Sequence, residues 1–451
     1  MKLLFKSLIL HWILFFISLF YVTAGAYADI PYDTLKNGPM LSDLTFREAQ
    51  IWIQTQVPAE VRIRYFDNSA PETVFHTKYI QTSLDNACVA NFVLHHIEPN
   101  KNYSYAIEVG GTIIKPYYTF KSLNYFHGKE PPPDISIALI GSHYAIEDAF
   151  EPPYIKRGGG YGIFDKIYRA KPDLVLWTGN TAHLRKSDFD SEQAYYKRYT
   201  QARSLIQPKA LLAEIPQLGI WSSYDYGPPG SGRTLGMKSS AQRSFMDFWP
   251  KSASVEYQSN LYYSHKLSDV EFFFIDAQSE RESYPRSSQP IRILGEAQIE
   301  WLKDALLNSE ASFKIIVSGA PVLNPSKSPK NLSYAESEKQ ELLDFLKSYK
   351  ISGLFFISGG SYKGELTRLV HSSYYSFFDW TVGPSTATPL REDNELNFFR
   401  IPGTNTFEQQ YGILSIRGEE DARRLEMTTY SLAGIQLWSR TIKANELSAF
   451  E

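Results

Sequence analysis

The amino-acid sequence predicts a mixed α/β protein in which a small β-sandwich precedes a layered α/β domain. Three segments, residues 50–55, 60–65 and 90–94, alternate apolar and polar side chains with the period of two that is typical of half-buried strands. After a Pro-rich segment, short apolar runs alternate with helical patterns, as in layered α/β domains. The predicted units are a β-sandwich over residues 29–125, a linker over 126–134 and an α/β domain over 135–451.

The first 28 residues have the pattern of a secretory signal peptide. Two lysines precede an apolar run over residues 8–22, and a small-x-small motif ends at Ala28. The run is shorter than the ~20 residues that a membrane span prefers. We therefore expect cleavage near Ala28 and export to the periplasm or the medium, with no membrane span in the mature chain. An uncleaved membrane anchor is the alternative.

Individual elements follow from local patterns. In the first unit, strands are predicted over residues 50–55, 60–65 and 90–94. Pro99, Tyr103 and Tyr105 are spaced as at the start of a strand in a fibronectin-type sandwich. In the second unit, apolar β-rich runs predict strands at 135–140, 173–177, 313–317 and 353–357, and helical spacing predicts helices at 162–170, 298–307 and 339–346.

Composition limits the possible partners and cofactors. The formal net charge is −3, and the sequence contains no basic block, so nothing in it favours nucleic acid as a partner. Cys88 is the only cysteine, which excludes an intramolecular disulfide and a zinc–thiolate site. We expect Cys88 to be a small buried apolar residue.

Four segments of the α/β domain are expected to follow the carboxyl ends of strands. They are IGSH at residues 140–143, LWTGN at 176–180, IWSSYDYG at 220–227 and ISGGSYKGEL at 357–366. They resemble the metal-site loops of PhoD-like alkaline phosphatases, which read approximately FGSC, LHLGDN, IWDDHDYG and LSGDRHxxEL. Residues 294–302 are also similar to the LGxxQxxWL stretch of that family. The resemblance covers nearly the whole mature chain and implies an α/β/β/α metallophosphatase-like sandwich after the N-terminal unit.

The side chains that would bind metal in that family are absent at most of the matching positions. Asn180 replaces an Asp, the Asp-Asp-His run becomes Ser222, Ser223 and Tyr224, and the last loop has Gly360 and Tyr362 in place of Asp and His. Hard metal ions need several anionic oxygens and imidazole nitrogens together. We therefore expect one former active-site cleft without a metal geometry, formed by His143, Asn180, His183, Ser222, Ser223, Tyr224, Asp225, Gly360, Tyr362 and Lys363.

The resemblance implies calcium and iron as cofactors, but the residues predict none. His143, Asn180 and Asp225 are weak metal candidates, and Asp225 is better explained as a loop anchor that accepts backbone N–H groups. Three functional classes stay open. The first is a pseudoenzyme that binds an unidentified small molecule or protein through the former cleft. The second is an active phosphomonoesterase or phosphodiesterase with altered ligands such as His143, Asn180, His183 and Asp225. The third is a structural or adhesive protein of the cell envelope.

Overall fold

The structure, a computed structural model of the 451-residue chain, describes five ranges: 34–250, 261–284, 290–392, 395–419 and 422–449. The predicted signal peptide lies outside the described residues. No helix within these ranges is both long and apolar enough to cross a membrane.

The N-terminal unit is a β-sandwich whose described strands are β1 Leu35–Leu44, β2 Ala49–Thr55, β3 Glu60–Asp67, β4 Phe75–His76, β5 Ile80–Gln81, β6 Val89–Leu94, β7 Asn102–Val109 and β8 Thr112–Lys121. One sheet has the order β1-β2-β6. The other has the order β4-β3-β7-β8, and β5 also pairs with β3. Alternate residues of both sheets, such as Ile51, Ile63 and Phe92, meet in a core between them. The three strands predicted in this unit are confirmed as β2, β3 and β6.

Two six-stranded sheets form the centre of the second unit. Their strands are β9 Ile135–Ile140, β10 Leu174–Trp177, β11 Gln217–Gly219, β12 Tyr263–Leu267, β13 Val270–Ile275, β14 Phe313–Ser318, β15 Leu354–Ser358, β16 Glu365–Leu369, β17 Phe377–Thr381, β18 Gln410–Arg417, β19 Arg424–Ser431 and β20 Gln436–Lys443. The orders are β11-β10-β9-β18-β19-β20 and β12-β13-β14-β15-β17-β16. Strands β9 to β11 are mutually parallel, as are β13, β14, β15 and β17, and their continuous apolar runs are buried on both faces.

The α-helices of the described ranges are α1 Ile163–Arg169, α2 Glu192–Ser204, α3 Lys209–Glu214, α4 Ser223–Tyr226, α5 Lys238–Phe248, α6 Glu296–Leu307 and α7 Glu336–Ser348. The two sheets pack against each other, and the Trp380 and Trp438 rings meet between them with centroids 5.4 Å apart. Apolar faces of α6 and α7 join the same core. The predicted helices correspond to α1, α6 and α7, and the predicted strands to β9, β10, β14 and β15, so these predictions are confirmed.

The C-terminal strands β18 to β20 extend the first sheet, and no sequence prediction covered them. β18 pairs antiparallel with β9, and β19 and β20 continue the sheet. In β19, buried and half-buried residues alternate along RLEMTTYS, which is the period-two signal of a strand with one covered face. This alternation is visible in the sequence, but the hydrophobic pattern is weak because two residues of the covered face, Thr429 and Ser431, are polar.

The segment between β8 and β9 contains no helix or strand, but it is held firmly. The buried Arg423 guanidinium donates to the Pro133 carbonyl at 2.9 Å and to the Pro132 carbonyl at 3.3 Å, and it pairs with Asp269 at 2.6 Å. One charged side chain thus ties the Pro-rich segment to the turn between β12 and β13.

A buried arginine also joins the sandwich to the α/β domain. The Arg203 guanidinium lies 4.4 Å from the Trp249 ring centroid and 5.2 Å from that of Trp52, which belongs to β2. It donates to the Phe248 carbonyl at 2.8 Å and contacts the Met40 sulfur at 3.1 Å. Burial lowers the pKa of Arg203 to about 9. Because Met40 and Trp52 belong to the sandwich, the two units share one core across this contact.

Replacing Arg203 with alanine should remove these contacts and leave the Phe248 carbonyl without its donor. We expect R203A to lower the free energy of unfolding by about 2–4 kcal/mol. Denaturant unfolding followed by tryptophan fluorescence measures this loss. The control is R169A, because Arg169 is a surface residue whose ion pair is with Asp165 on the same helix, and it should change stability by about 0.5 kcal/mol or less. Equal effects of the two variants would contradict the role assigned to Arg203.

Candidate functional site

The four predicted loops meet at one end of the two sheets. The loops after β9, β10 and β11 come from the first sheet, and the loop after β15 comes from the second. Direct contacts connect them: the His143 amide donates to the Asn180 carbonyl at 2.9 Å, and the Ser142 hydroxyl donates to the Ser361 carbonyl at 3.2 Å. Because the carboxyl ends of parallel strands lie at the same edge, the strand order places these loops side by side.

Asn180 is fully buried and uses both ends of its amide within the loops. Its Nδ2 donates to the Ser142 hydroxyl at 3.1 Å, and its Oδ1 accepts the Tyr224 backbone N–H at 3.1 Å. The residue has a φ of 51°, a left-handed conformation that Asn adopts more readily than most residues. Asn180 is therefore a structural link between three loops.

Asp225 anchors the third loop. Its Oδ1 accepts the Thr181 hydroxyl at 3.0 Å and the Ala182 N–H at 2.9 Å, and its Oδ2 accepts the Ser222 N–H at 2.9 Å. The last bond is part of a capping box at the start of α4. Burial raises the pKa of Asp225 to about 6 despite these donors. Both carboxylate oxygens are thus committed to the protein.

Ser222 and Gly360 bring the third and fourth loops into direct contact. The Ser222 hydroxyl donates to the Gly319 carbonyl at 2.6 Å, in the loop that follows β14. Gly360 has a φ of 65°, and a Cβ at this position would lie 2.3 Å from both the Gly319 oxygen and the Ser222 oxygen. The space that an aspartate at 360 would need is already filled by backbone and by Ser222.

His143 lies beneath the cleft and offers it no free nitrogen. Its Nε2 is 3.0 Å from the Ala202 carbonyl, so this nitrogen carries the proton, and its Nδ1 accepts from the Thr386 hydroxyl at 2.7 Å. The rings of Tyr161, Phe164 and Trp177 surround the imidazole, and burial lowers the pKa of His143 to about 4. His143 is a neutral core residue.

Aromatic rings form the wall of the cleft beside these loops. The His183 ring stacks on Tyr224 with centroids 4.2 Å apart, and its Nδ1 lies 3.2 Å from the Tyr362 hydroxyl. Burial, together with the Arg185 and Arg157 guanidinium groups, lowers the pKa of His183 to about 3, so its ring is neutral. Ser223 is half-buried at the first position of α4 beside this wall.

Lys363 points into a neighbouring cavity of about 400 Å³ and is part of an ionic cluster there. Its ammonium lies 3.2 Å from a Glu365 oxygen and 3.3 Å from a Glu395 oxygen. The Arg400 guanidinium donates to Glu365 at 2.7 Å, and the Asn324 amide donates to the same carboxylate at 2.8 Å. Among the described residues, Lys363 and Arg400 thus lie against the carboxylates of Glu365 and Glu395.

The residues at the site do not fit the metal ions that the resemblance implies. The carboxylate of Asp225, the imidazole of His143 and the amide of Asn180 are each bonded to protein partners. Across the described ranges, no group of three or more His, Cys, Asp or Glu side chains is placed to hold an ion. A divalent or trivalent ion here would have to displace protein hydrogen bonds and would gain few anionic ligands.

Several residues that shape the site were not anticipated from the sequence. Thr386 supports His143 from a loop more than 240 positions away, and Gly319 supplies the carbonyl that Ser222 binds. Glu365 was treated only as the end of a motif, yet it is fully buried and central to the ionic cluster. No local pattern marks these contacts, because they depend on which loops become neighbours after folding.

The fold and the loops together define the class of this protein. A sequence model of the PhoD-like phosphatases matches residues 141–396, and a domain of unknown function, DUF7800, matches residues 32–125. The first match covers more than half of the chain and contains all the site loops after Ile140. The chain therefore belongs to the PhoD-like phosphatase family. No curated protein is similar enough in sequence to match it.

Solved structures show the same fold at low sequence identity. A structure of PhoD superposes with a TM-score of 0.67 at 15% identity, covering 93% of this chain and 94% of PhoD. The purple acid phosphatase PPD1 from yellow lupin (Lupinus luteus) seeds gives a TM-score of 0.68 at 14% identity, covering 91% of this chain and 76% of that protein. These likenesses confirm the mixed α/β fold with its N-terminal β-sandwich.

The crowding at Gly360 predicts a large effect of a single methyl group. G360A should lower the free energy of unfolding by about 3 kcal/mol or more, because it combines a left-handed alanine with overpacking. The matched control is G230A, since Gly230 also has a positive φ but a Cβ there meets nothing within 4 Å. It should cost only about 1 kcal/mol. Denaturant unfolding of both variants separates the cost of the left-handed backbone from the cost of overpacking. Similar losses of unfolding free energy would show that the loops are not in contact at residue 360.

Proposed function

We propose that this protein is a PhoD-like pseudoenzyme, which lacks metal-dependent phosphoester hydrolysis and binds a ligand or partner through the former active-site cleft. The observation that carries the proposal is that the polar side chains of the loops hydrogen-bond to protein groups within and between the loops. Asn180, Ser222 and Asp225, which stand at or beside positions of the family's ligand-bearing motifs, all bond across loops or within α4.

Energetics support the absence of a resident ion. A hydrogen bond to a charged group contributes about 1.5–3 kcal/mol, and Asp225 accepts three. An ion that recruited this carboxylate would have to break such bonds and also lose its own water ligands. Without an ion, nothing lowers the pKa of an attacking water toward ~7 or balances the charge that develops on a phosphoryl group.

The chemistry of the cleft favours a small uncharged polar ligand. Tyr362 reaches both the aromatic wall and the cavity of about 400 Å³, which is within the usual size range of a small-molecule site. Its lining includes the amides of Asn324 and Asn331 and the hydroxyl of Tyr362. Lys363 is already paired with two carboxylates. The described lining places two lysines, Lys330 and Lys363, against three carboxylates, Glu365, Glu392 and Glu395, so the charges do not favour an anion there.

Metal content and turnover test the absence of phosphatase chemistry. The purified mature protein, incubated with calcium and ferric ions and then desalted, should contain less than about 0.1 equivalent of metal, since its carboxylate and imidazole ligands are committed to the protein. It should not hydrolyse p-nitrophenyl phosphate or bis-p-nitrophenyl phosphate above the rate of a D225A variant. Stoichiometric metal together with turnover would establish the altered phosphatase instead.

Binding by the cleft is tested separately from chemistry. A panel of small polyhydroxylated compounds, including glucose, galactose and glycerol, is screened by thermal shift. A stabilising compound should lose its effect in Y362A, while R169A serves as the surface control. If no compound stabilises the protein, or if Y362A responds like the unmodified chain, the cleft is not the binding site and the structural-protein class gains support.

We also propose that the chain is exported and processed after Ala28. The support is the lysine-led apolar run and the small-x-small motif in the first 28 residues. Intact-mass spectrometry of protein recovered outside the cytoplasm should find Asp29 at the amino terminus. An A28R variant should block cleavage and retain the longer mass. Recovery of a chain starting at Met1 from the membrane fraction would favour an uncleaved anchor.

A further inference from the structure

The strand β6 of the sandwich has one free edge. Within the described ranges, β6 pairs only with β2, in the register Phe92 with Ile51 and Val93 with Gln50. The Thr55 N–H donates to the Cys88 carbonyl at 3.0 Å, which sets the alternation of the ladder. Residues 90, 92 and 94 therefore bond to β2, and residues 89, 91 and 93 direct their N–H and C=O groups away from it.

A groove of about 450 Å³ runs along this edge. It lies between β6 and the two short strands β4 and β5, which belong to the opposite sheet of the sandwich. At the far end, the Tyr65 hydroxyl bonds to the His95 carbonyl at 2.7 Å. Helix α5 contacts β6 through its packing on the sandwich. Asn91 and Val93 are half-buried and line the groove, so their outward backbone groups face its interior.

The two sides of the groove differ in chemistry. The side continuous with the sandwich core is apolar, with Phe92, Phe75 and Ile80. On the outer side the Asn91 amide oxygen has no hydrogen-bond partner among the described residues, although it is inaccessible to solvent. An extended chain placed beside β6 would alternate its side chains between these two sides, because successive residues of a strand point in opposite directions.

The charges of the groove favour one kind of occupant. Its described lining contains Lys78, His76, His95 and His96 but no carboxylate. The His95 Nδ1 already lies 2.9 Å from a Glu48 oxygen, and the His76 Nε2 lies 3.9 Å from a Glu108 oxygen. The ammonium of Lys78 and the imidazole of His96 are therefore the groups that favour an acidic side chain in the groove. A second copy of this chain paired through β6 would bring the same groove lining, which contains no carboxylate, against itself and would supply no acidic partner for Lys78.

We propose that β6 is a docking edge for an extended peptide of a partner protein, in which apolar residues alternate with acidic ones. The peptide adds a fourth strand to the β1-β2-β6 sheet by bonding to the outward N–H and C=O groups of Asn91 and Val93. Its apolar residues contact Phe75, Phe92 and Ile80, and its carboxylates lie beside Lys78 and His96. This surface is separate from the cleft, and the inference does not rest on the function proposed for it.

A proline at position 93 tests the backbone bond directly. Val93 directs its N–H to the open edge, so V93P removes the donor that the peptide needs and leaves the β2 ladder intact. The control V93A keeps the N–H and shortens the side chain. A random heptapeptide library displayed on phage is selected against the full-length mature protein. Enriched sequences should alternate apolar and acidic residues and should bind V93P at least tenfold more weakly than V93A.

Hydrogen exchange locates the bound peptide. A synthetic copy of an enriched sequence should slow exchange of the Asn91 and Val93 amides, whereas those of Ala90 and Phe92, which already bond to β2, should change little. Thermal unfolding must first show that V93P is folded. If it is not, K78E replaces it, and selection of the library against K78E should disfavour acidic peptides. Selection of no peptide, equal binding by V93P and V93A, or a dimer formed through β6 in sedimentation would each overturn the proposal.

Discussion

The close approach of the loop backbones is the constraint on which the site depends. A Cβ at Gly319 would lie 2.0 Å from the Trp221 carbonyl oxygen, and one at Gly360 would lie 2.3 Å from the Gly319 oxygen. The loops after β11, β14 and β15 can therefore touch only because these positions carry no side chain. Once they touch, Ser222 can bond to Gly319 across the gap. The volume at this contact is occupied by the protein itself, and the cavity lined by Tyr362 and Lys363 lies beside it.

The same close packing extends below the site. A Cβ at Gly141 would lie 2.0 Å from the Gly383 oxygen, and one at Gly359 would lie 1.9 Å from the Thr178 oxygen. The loops of the first sheet and of the second sheet are therefore pressed together at several levels. Since each loop begins at the end of a buried strand, movement of one loop is resisted by the core beneath it.

The fold was predictable because its sequence signals are local. Most of the contacts at the site were not predictable. The apolar runs of β9 and β14 and the helical spacing of α6 each lie within a dozen residues, so periodicity alone identifies them. The difference from the family's loop motifs could also be read from single positions such as Asn180. The hydrogen bonds of the His143 ring could not be predicted in this way, because its partners Ala202 and Thr386 come from distant segments that only the folded chain brings together.

Asn180 shows why the changes at the site reinforce one another. A carboxylate at this position only accepts hydrogen bonds, and without a cation its charge would be buried beside that of Asp225 at a high cost. An amide both donates and accepts, so it can bond to the Ser142 hydroxyl and to the Tyr224 N–H at once. A neutral hydrogen-bonded link thus joins the loops at this position. This network is consistent with a cleft that keeps its shape without metal, which is the state that a binding role requires.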